Sequence, residues 1–462
     1  MPFKLKQVSL IKDPISRQVM HIAWPILVEV TFASLFGMIN LIMVGKYEGG
    51  SFPSAAYVAA IGMINIPFFF ILAFVQSVGV GGTTLLARAF GAQELDRLDP
   101  ILKHVVLMGL VLVVPLIVFV LSFQLPIMRF LGAQNDAIQA SMIYYRLVMV
   151  GLFFISLTSM VSAAIRGVGE TKAPMRFNLL ANGLNIIIGF CLIRGRFFFP
   201  ELGIVGAGIA TLVANIIACG LMFWYVASGK SVIQVNWFKP FKFRLSLAKQ
   251  ILAIGLPSAG EQMILRTGLL LYTQIVASMG TVIMAAHQIA LNILSFSFTP
   301  GMALGIAASA LVGQSLGAGK ADMADKFGRR SSFFALLIGL MMGAFFYLLR
   351  HEIGYWYNSD PAVIRAVSIP LSLMAITAPF QLPQLTEAGA LRGAGDTIFP
   401  MISTGFSVIA VRVALSYLFV YYLGWGLWGA WLAVFCDQVV RSMMITIRYQ
   451  RGKWKTIEIK PD

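Results

Sequence analysis

The sequence is poor in the residues that most chemistry requires. Its 462 residues include three cysteines, four histidines and 19 acids, set against 35 lysines and arginines. Cys191, Cys219 and Cys436 stand apart from one another in apolar stretches. That spacing excludes a disulfide framework and a Cys/His metal cluster, so they read as packing residues. Charged residues make up 12% of the chain, hydrophobic ones 58%, and the mean hydropathy is +0.83. A soluble protein of this size needs far more polar surface. No GxxxxGK[ST] phosphate loop is present, which argues against ATP as an energy source. No set of nucleophile, acid–base or metal-binding groups converges at one membrane depth, so the chain does not read as an enzyme.

Apolar runs fill the space that these residues leave. Each has about the 20-residue length that a bilayer core demands. Twelve are recognised, starting near His21, Ala55, Ile101, Gln139, Pro174, Leu202, Gln250, Val282, Phe327, Pro361, Pro400 and Gly426. The N-terminus is polar and basic and the first run is long enough to span, so no cleavable signal is expected. The net charge of +16 raises the question of nucleic acid. Its placement answers against that. With the N-terminus inside, most Lys and Arg fall in cytoplasmic segments, which puts both termini in the cytoplasm of a multi-pass plasma-membrane protein. "KPFKFRLSLAK" after Trp237 and "RYQRGKWK" from Arg448 read as topology signals or contacts to anionic membrane lipid.

The chain repeats itself. "AAIRGVGETKAPM" begins at Ala163 and "GALRGAGDTIFPM" at Gly389, which places Arg166 and Arg392 226 positions apart. "GVGGTTLLARAFGA" from Gly79 aligns with "GIAASALVGQSLGA" from Gly305 at the same offset. Upstream, Pro25 with Glu29 matches Pro257 with Glu261, the small change in offset falling in the loop around "KYEGGSFPS". Six spans per half give both halves one orientation. The expected fold is therefore all-α: twelve transmembrane helices in two six-helix bundles related by a pseudo-twofold along the membrane normal. The expected divisions are an N-terminal lobe over 1–228, a cytoplasmic linker over 229–249, a C-terminal lobe over 250–450 and a basic cytoplasmic tail over 451–462.

The repeated Arg-Gly-x-Gly has two readings. As structure, Arg166 and Arg392 anchor the inner ends of spans four and ten, and Gly167, Gly169, Gly393 and Gly395 end those helices. Glu170-Thr171 and Asp396-Thr397 then supply caps to the next helix, with Pro174 and Pro400 in its first turn. As function, the motif is a cytoplasmic gate or hinge. Turn chemistry alone accounts for each residue type, which favours the structural reading.

These motifs, with "AAHQIALNI" from Ala285 and "ALVGQSLGAGK" from Ala310, resemble the multidrug and toxic compound extrusion (MATE) family over about residues 15 to 455. Within it the chain looks most like the prokaryotic branch related to the DNA-damage-inducible F type. The resemblance implies two six-helix bundles around a cavity that opens alternately to either side. It implies export of amphipathic, often cationic organic compounds in exchange for inward Na⁺ or H⁺, with no other cofactor and no nucleic-acid partner, by a protein functional as a monomer.

Ionisable groups inside a bilayer are functional candidates by default. The acids within spans are Glu29, Glu261, Glu387 and Asp437, and the intramembrane cations are Arg266 and Arg412. The family's first helix often carries an Asp in "V-D-T-I-M-V-G"; this chain reads "INLIMVG", with Asn40 in that slot. On span five Asn185 is followed by Gly189 where the related branch often has an Asp. Asn40 and Asn185 can ligate Na⁺ through carbonyl oxygens but cannot take up a proton. Glu29 lies on the face of Asn40 but roughly 16 Å along the axis, either a second ion station or a neutral or paired carboxylate. In the C-terminal half, Glu261, Gln262 and Arg266 lie on span seven and Glu387 on span ten. One hypothesis has Glu261 and Glu387 bind the coupling ion, with Arg266 released and re-paired; the other is a static buried network. Gln381 stands in the family's usual Asp position on span ten. Asp437 and Arg441 read as a structural ion pair one turn apart. Gln288 and Asn292 share a face of span eight, suited to lining a cavity or to joining helices. The rival function is a flippase for a lipid-linked precursor. Twelve spans and only two intramembrane arginines count against it.

Overall fold

The structure, a computed structural model, describes residues 15–45, 47, 54–133, 135–196, 199–237, 241–357 and 360–457. The basic N-terminus, most of the "KYEGGSFPS" loop, positions 238–240 of the linker and the last five residues of the tail lie outside the described residues. Twelve long helices occur among the described residues, and no strand. In chain order they are α1 (Ile15–Gly45), α2 (Ser54–Gly91), α3 (Leu98–Ser122), α4 (Asn135–Gly167), α5 (Lys172–Arg194) and α6 (Gly203–Ala227). The second half continues with α7 (Leu245–Ala277), α8 (Thr281–Gly317), α9 (Ala321–Leu348), α10 (Pro361–Ala394), α11 (Ile398–Tyr422) and α12 (Gly426–Gln450). Each expected span is present. Eleven of the twelve are long and apolar enough to cross a membrane. The exception is α7, whose polarity comes from Lys249, Glu261, Gln262 and Arg266.

Several helices outrun the bilayer. At 1.5 Å per residue the 38 residues of α2 reach about 57 Å, against a hydrocarbon core of about 30 Å. Internal prolines occur in α1 (Pro25), α2 (Pro67), α3 (Pro115), α7 (Pro257), α8 (Pro300) and three times in α10 (Pro370, Pro379 and Pro383). Membrane helices tolerate such prolines because neighbouring helices, Ser and Thr side chains and local rewinding re-satisfy the carbonyls they free. The α11 helix is wound with π-type spacing over Phe406–Val413 and Leu418–Tyr422, a form that tends to mark functional segments.

The chain divides into two compact units. One holds residues 28–86 and 94–253; the other holds 15–27, 87–93 and 254–457. The start of α1 thus belongs with the second half of the sequence, and the start of α7 with the first. Inside the first unit the linker is tied at three points. Glu170 accepts hydrogen bonds from the Ser231 hydroxyl at 2.9 Å and the Val232 amide at 2.9 Å. Lys103 donates to the Asn236 carbonyl at 2.7 Å, and the Arg244 amide donates to His104 Nε2 at 2.8 Å. His104 also stacks on Phe243, so this histidine clamps the linker.

Candidate functional site

The repeated motif closes both α4 and α10 with the same turn. Gly169 has φ +88° and Gly395 φ +90°, the left-handed conformation that glycine alone enters freely. The Glu170 amide donates to the Ile165 carbonyl at 3.1 Å and the Asp396 amide to the Leu391 carbonyl at 2.9 Å. Gly169 and Gly395 donate to the carbonyls of Arg166 and Arg392, each at 2.9 Å, which completes two matched Schellman ends. The preceding glycines serve close approach. A Cβ on Gly167 would sit 2.8 Å from the Thr83 carbonyl oxygen, and one on Gly393 2.1 Å from that of Ser309. Thr83 and Ser309 are themselves equivalent positions of the repeat.

The capping expectation needs correcting. Thr171 and Thr397 occupy the cap positions of α5 and α11 without a side-chain capping bond. The acids turn elsewhere. Glu170 holds the linker, and Asp396 pairs with Arg448 at 2.7 Å.

The motif arginines do more than anchor an interface. Arg166 donates to Glu29 Oε1 at 2.5 Å, and Asn178 of α5 donates to the same oxygen at 2.6 Å. In the other unit Arg392 donates to both oxygens of Glu261 at 2.8 Å, and Thr404 of α11 donates to Oε1 at 3.3 Å. Each member matches its counterpart in the repeat: Glu29 with Glu261, Arg166 with Arg392, Asn178 with Thr404. Glu29 and Glu261 are 6% and 4% exposed. Burying such a carboxylate is costly unless a cation and further donors accompany it, and both clamps supply them.

The structure adds a partner that α7 alone does not suggest. Arg392 binds Glu261 in two-pronged fashion; Arg266 is exposed on its helix and Gln262 is half-buried. Glu261 and Glu387 do not form one site. Glu387 turns to another face of α10, where Ser332 of α9 donates to Oε1 at 2.9 Å and Thr446 of α12 to Oε2 at 2.6 Å. Five residues separate Arg392 from Glu387, a turn of about 140° around the helix.

The first unit contains a half-open polar cavity of about 190 Å³. Glu29 and Arg166 are its only charged lining residues, and Asn178, Asn182, Asn185 and Asn215 join them with Thr158, Ser159 and Ser162. Glu29 Oε2, Arg166 Nε, Ser162 Oγ and Asn215 Nδ2 are buried without a hydrogen-bond partner. Above Glu29, the Asn40 amide donates to Asn185 Oδ1 at 3.1 Å, and Asn185 donates to Thr211 at 3.2 Å. The Asn185 carbonyl is thereby engaged, so the two asparagines form an amide chain.

Asp437, fully buried in α12, binds two guanidiniums rather than one. Arg441 donates to both its oxygens at 2.9 Å, and Arg412 donates to Oδ2 through Nε at 3.0 Å and also through Nη2. Arg412 comes from the π-wound part of α11. Gln288 and Asn292 are both exposed on α8, where Asn292 donates to the Gln288 carbonyl at 2.9 Å. Gln381 is buried and accepts from Ser297 at 3.4 Å.

The family model MatE matches residues 25–191 and 257–418, one copy in each half of the sequence. A probable multidrug resistance protein NorM of Thermotoga maritima is 27% identical over 441 residues, covering 96% of this chain and 93% of that protein. Multidrug resistance protein PmpM of Pseudomonas aeruginosa is 27% identical over 455 residues, 94% of this chain and 91% of that one. Among solved structures, MATE in the bent conformation superposes with a TM-score of 0.88 at 21% identity, over 97% of this chain and 98% of the other. An outward-facing multidrug resistance MATE family transporter gives 0.87 at 22% identity, over 97% and 99%. With the family model matched in both halves of the sequence, this chain belongs to the MATE family: it is a multi-pass membrane transporter and not an enzyme.

Proposed function

We propose that the chain is a secondary antiporter of the plasma membrane that exports amphipathic, cationic organic compounds in exchange for inward Na⁺ or H⁺ by alternating access. The relatives named as multidrug resistance proteins support this reading. So does the excess of basic residues in segments assigned to the cytoplasm, with both termini on that side. The protein acts as a monomer. A flippase role finds no supporting observation.

One observation carries the proposal: the cavity of the first unit has a single acid, and one of its oxygens is unpartnered. A neutral pair of Glu29 and Arg166 tolerates burial. A cationic substrate that displaces Arg166 gains the Glu29 charge, while the asparagines and hydroxyls adapt as donors or acceptors to varied polar groups. Coupling falls to the carboxylates of the second unit, Glu261 and Glu387, whose neutralisation by the inward ion changes the charge held between helices.

Efflux of a fluorescent organic cation from proteoliposomes, under separately imposed Na⁺ and H⁺ gradients, tests the reading. Wild type exports under at least one gradient. Glu29→Gln weakens binding of the organic cation, and Glu261→Gln weakens the response to the gradient. Export under neither gradient, or undiminished cation binding by Glu29→Gln, overturns it.

A further inference from the structure

We propose that Glu387, with Ser332 and Thr446, is a proton-binding site of the second unit. The proposal rests on the reading of the chain as an ion-coupled exporter and identifies both the ion and the carboxylate that takes it.

Glu387 differs from the other three acids that the sequence places inside the spans. Glu29, Glu261 and Asp437 each bind at least one guanidinium. Glu387 is 7% exposed, yet its hydrogen bonds come only from hydroxyls, one to each oxygen. The distinction is chemical. A guanidinium has donors and no acceptor, so while Arg166 and Arg392 keep their contacts a proton on Glu29 or Glu261 would set donor against donor. A hydroxyl both donates and accepts.

With Glu387 ionised, Ser332 and Thr446 donate to it, as the structure shows. When a proton adds to one carboxylate oxygen, the new O–H donates to the neighbouring hydroxyl oxygen. That hydroxyl then rotates its hydrogen to the carbonyl four residues earlier on its own helix, at 328 for Ser332 or 442 for Thr446. One O–H bond forms, the local charge rises by one, and every polar group keeps a partner in both states. Na⁺ would find only the two carboxylate oxygens and two hydroxyls already committed to them.

A route to water adjoins the site. Asp325, Arg329 and Ser332 stand at i, i+4 and i+7, on one face of α9. Arg329 pairs with Asp325 at 3.0 Å, Lys455 reaches the same carboxylate at 3.3 Å, and the Tyr449 hydroxyl donates to the Asp325 carbonyl at 3.2 Å. The Arg329 side chain is 59% exposed. The groups facing Glu387 are thus Ser332, Arg329 and Asp325 from α9 and Thr446 and Tyr449 from α12. The α8 helix carries no ionisable residue except His287, at its far end, and Arg392 on α10 itself is held by Glu261. This ladder leads to the end of the unit where α9 begins and α10 and α12 finish. The charge asymmetry of the sequence assigns that end to the cytoplasm, where an inward-moving proton leaves.

The test uses the full chain in proteoliposomes and joins two readouts. Infrared difference spectra between acid and alkaline buffer report the carbonyl stretch of a protonated carboxyl, and dye efflux reports the response to a pH gradient. The expected result is a carboxyl band that Glu387→Gln removes, together with loss of pH-driven efflux to the level of empty liposomes while the organic cation still binds. Thr446→Val displaces the midpoint of the band and Thr446→Ser restores it, a pattern that a purely structural hydroxyl would not give. If Glu387→Gln does not fold, the Thr446 pair carries the test. A band and pH-driven efflux unchanged by Glu387→Gln, or a midpoint unmoved by Thr446→Val, overturns the proposal. Efflux driven by Na⁺ alone also overturns it while leaving the exporter reading intact, whereas efflux under no gradient overturns that reading itself.

Discussion

Arg392 holds both oxygens of Glu261 at 2.8 Å, and in the other repeat Arg166 holds Glu29 at 2.5 Å. Each pair ties the first helix of a repeat to the fourth. Breaking one partner of a buried pair costs about 3–5 kcal/mol, because the other charge stays buried, whereas removing both is often near neutral. Arg392→Gln is therefore expected to lower the thermal unfolding midpoint in detergent sharply. Glu261→Gln combined with Arg392→Gln should recover most of that loss. Additive losses in the double variant would show that the two residues act separately.

The glycines at the ends of α2 and α8 predict a steric effect. A Cβ on Gly91 would fall 1.9 Å from the Gln314 carbonyl oxygen, and one on Gly317 2.1 Å from that of Arg88. Arg88 and Gln314 are equivalent repeat positions, so the crossing is reciprocal. Overpacking of this kind costs about 1–3 kcal/mol. Gly91→Ala and Gly317→Ala should each destabilise the protein. Gly220→Ala, where a Cβ meets nothing within 4 Å, should instead stabilise its helix by roughly 0.8–1 kcal/mol. Equal midpoints for all three variants would refute the crossing.

Asp437 is the hub of its cluster, since two arginines share one carboxylate. Asp437→Asn leaves both guanidiniums without a counter-charge, so it should cost more than Arg441→Met, which leaves the Arg412 pair whole. Urea or thermal unfolding of the two variants ranks them. The opposite order would mean that Asp437 is not the organising charge.

Outside the spans, Glu170 gives a dependence on pH. Burial raises its pKa above the ordinary 4.5, and hydrogen bonds from Val232, Ser231 and Tyr225 only partly oppose the rise. The folded chain binds that proton more tightly than the unfolded chain. Its contribution to stability is fully present below pH 4.5 and is lost as pH climbs through the raised value. Thermal midpoints of wild type should carry this declining component, and those of Glu170→Gln should lack it. Parallel curves for the two proteins would exclude it.

Much of this was legible in the sequence. Apolar runs located all twelve helices, and the duplicated Gly-x-Gly positions located both Schellman turns. The charge partners were not legible in the same way. Arg266 lies five residues from Glu261 on one helix and is the cation nearest to it in sequence, while Arg392 lies far along the chain. A usable signal existed: Glu29 and Glu261 repeat, and Arg166 and Arg392 repeat with them. Opposite charges that are duplicated together within apolar surroundings need each other, because neither is tolerated there alone.

The amino-acid order by itself determined the helices, their duplication and the places where only glycine fits, since these follow from hydropathy, backbone sterics and local turns. Tertiary structure alone decided which charges meet: Glu261 with Arg392 and Thr404, Glu387 with Ser332 and Thr446, Asp437 with two arginines. The physical reason is that helical periodicity fixes the face on which a residue stands but not the helix that covers it. In a low-dielectric interior the identity of that neighbour, guanidinium or hydroxyl, decides whether a carboxylate is a fixed strut or a group able to exchange its proton.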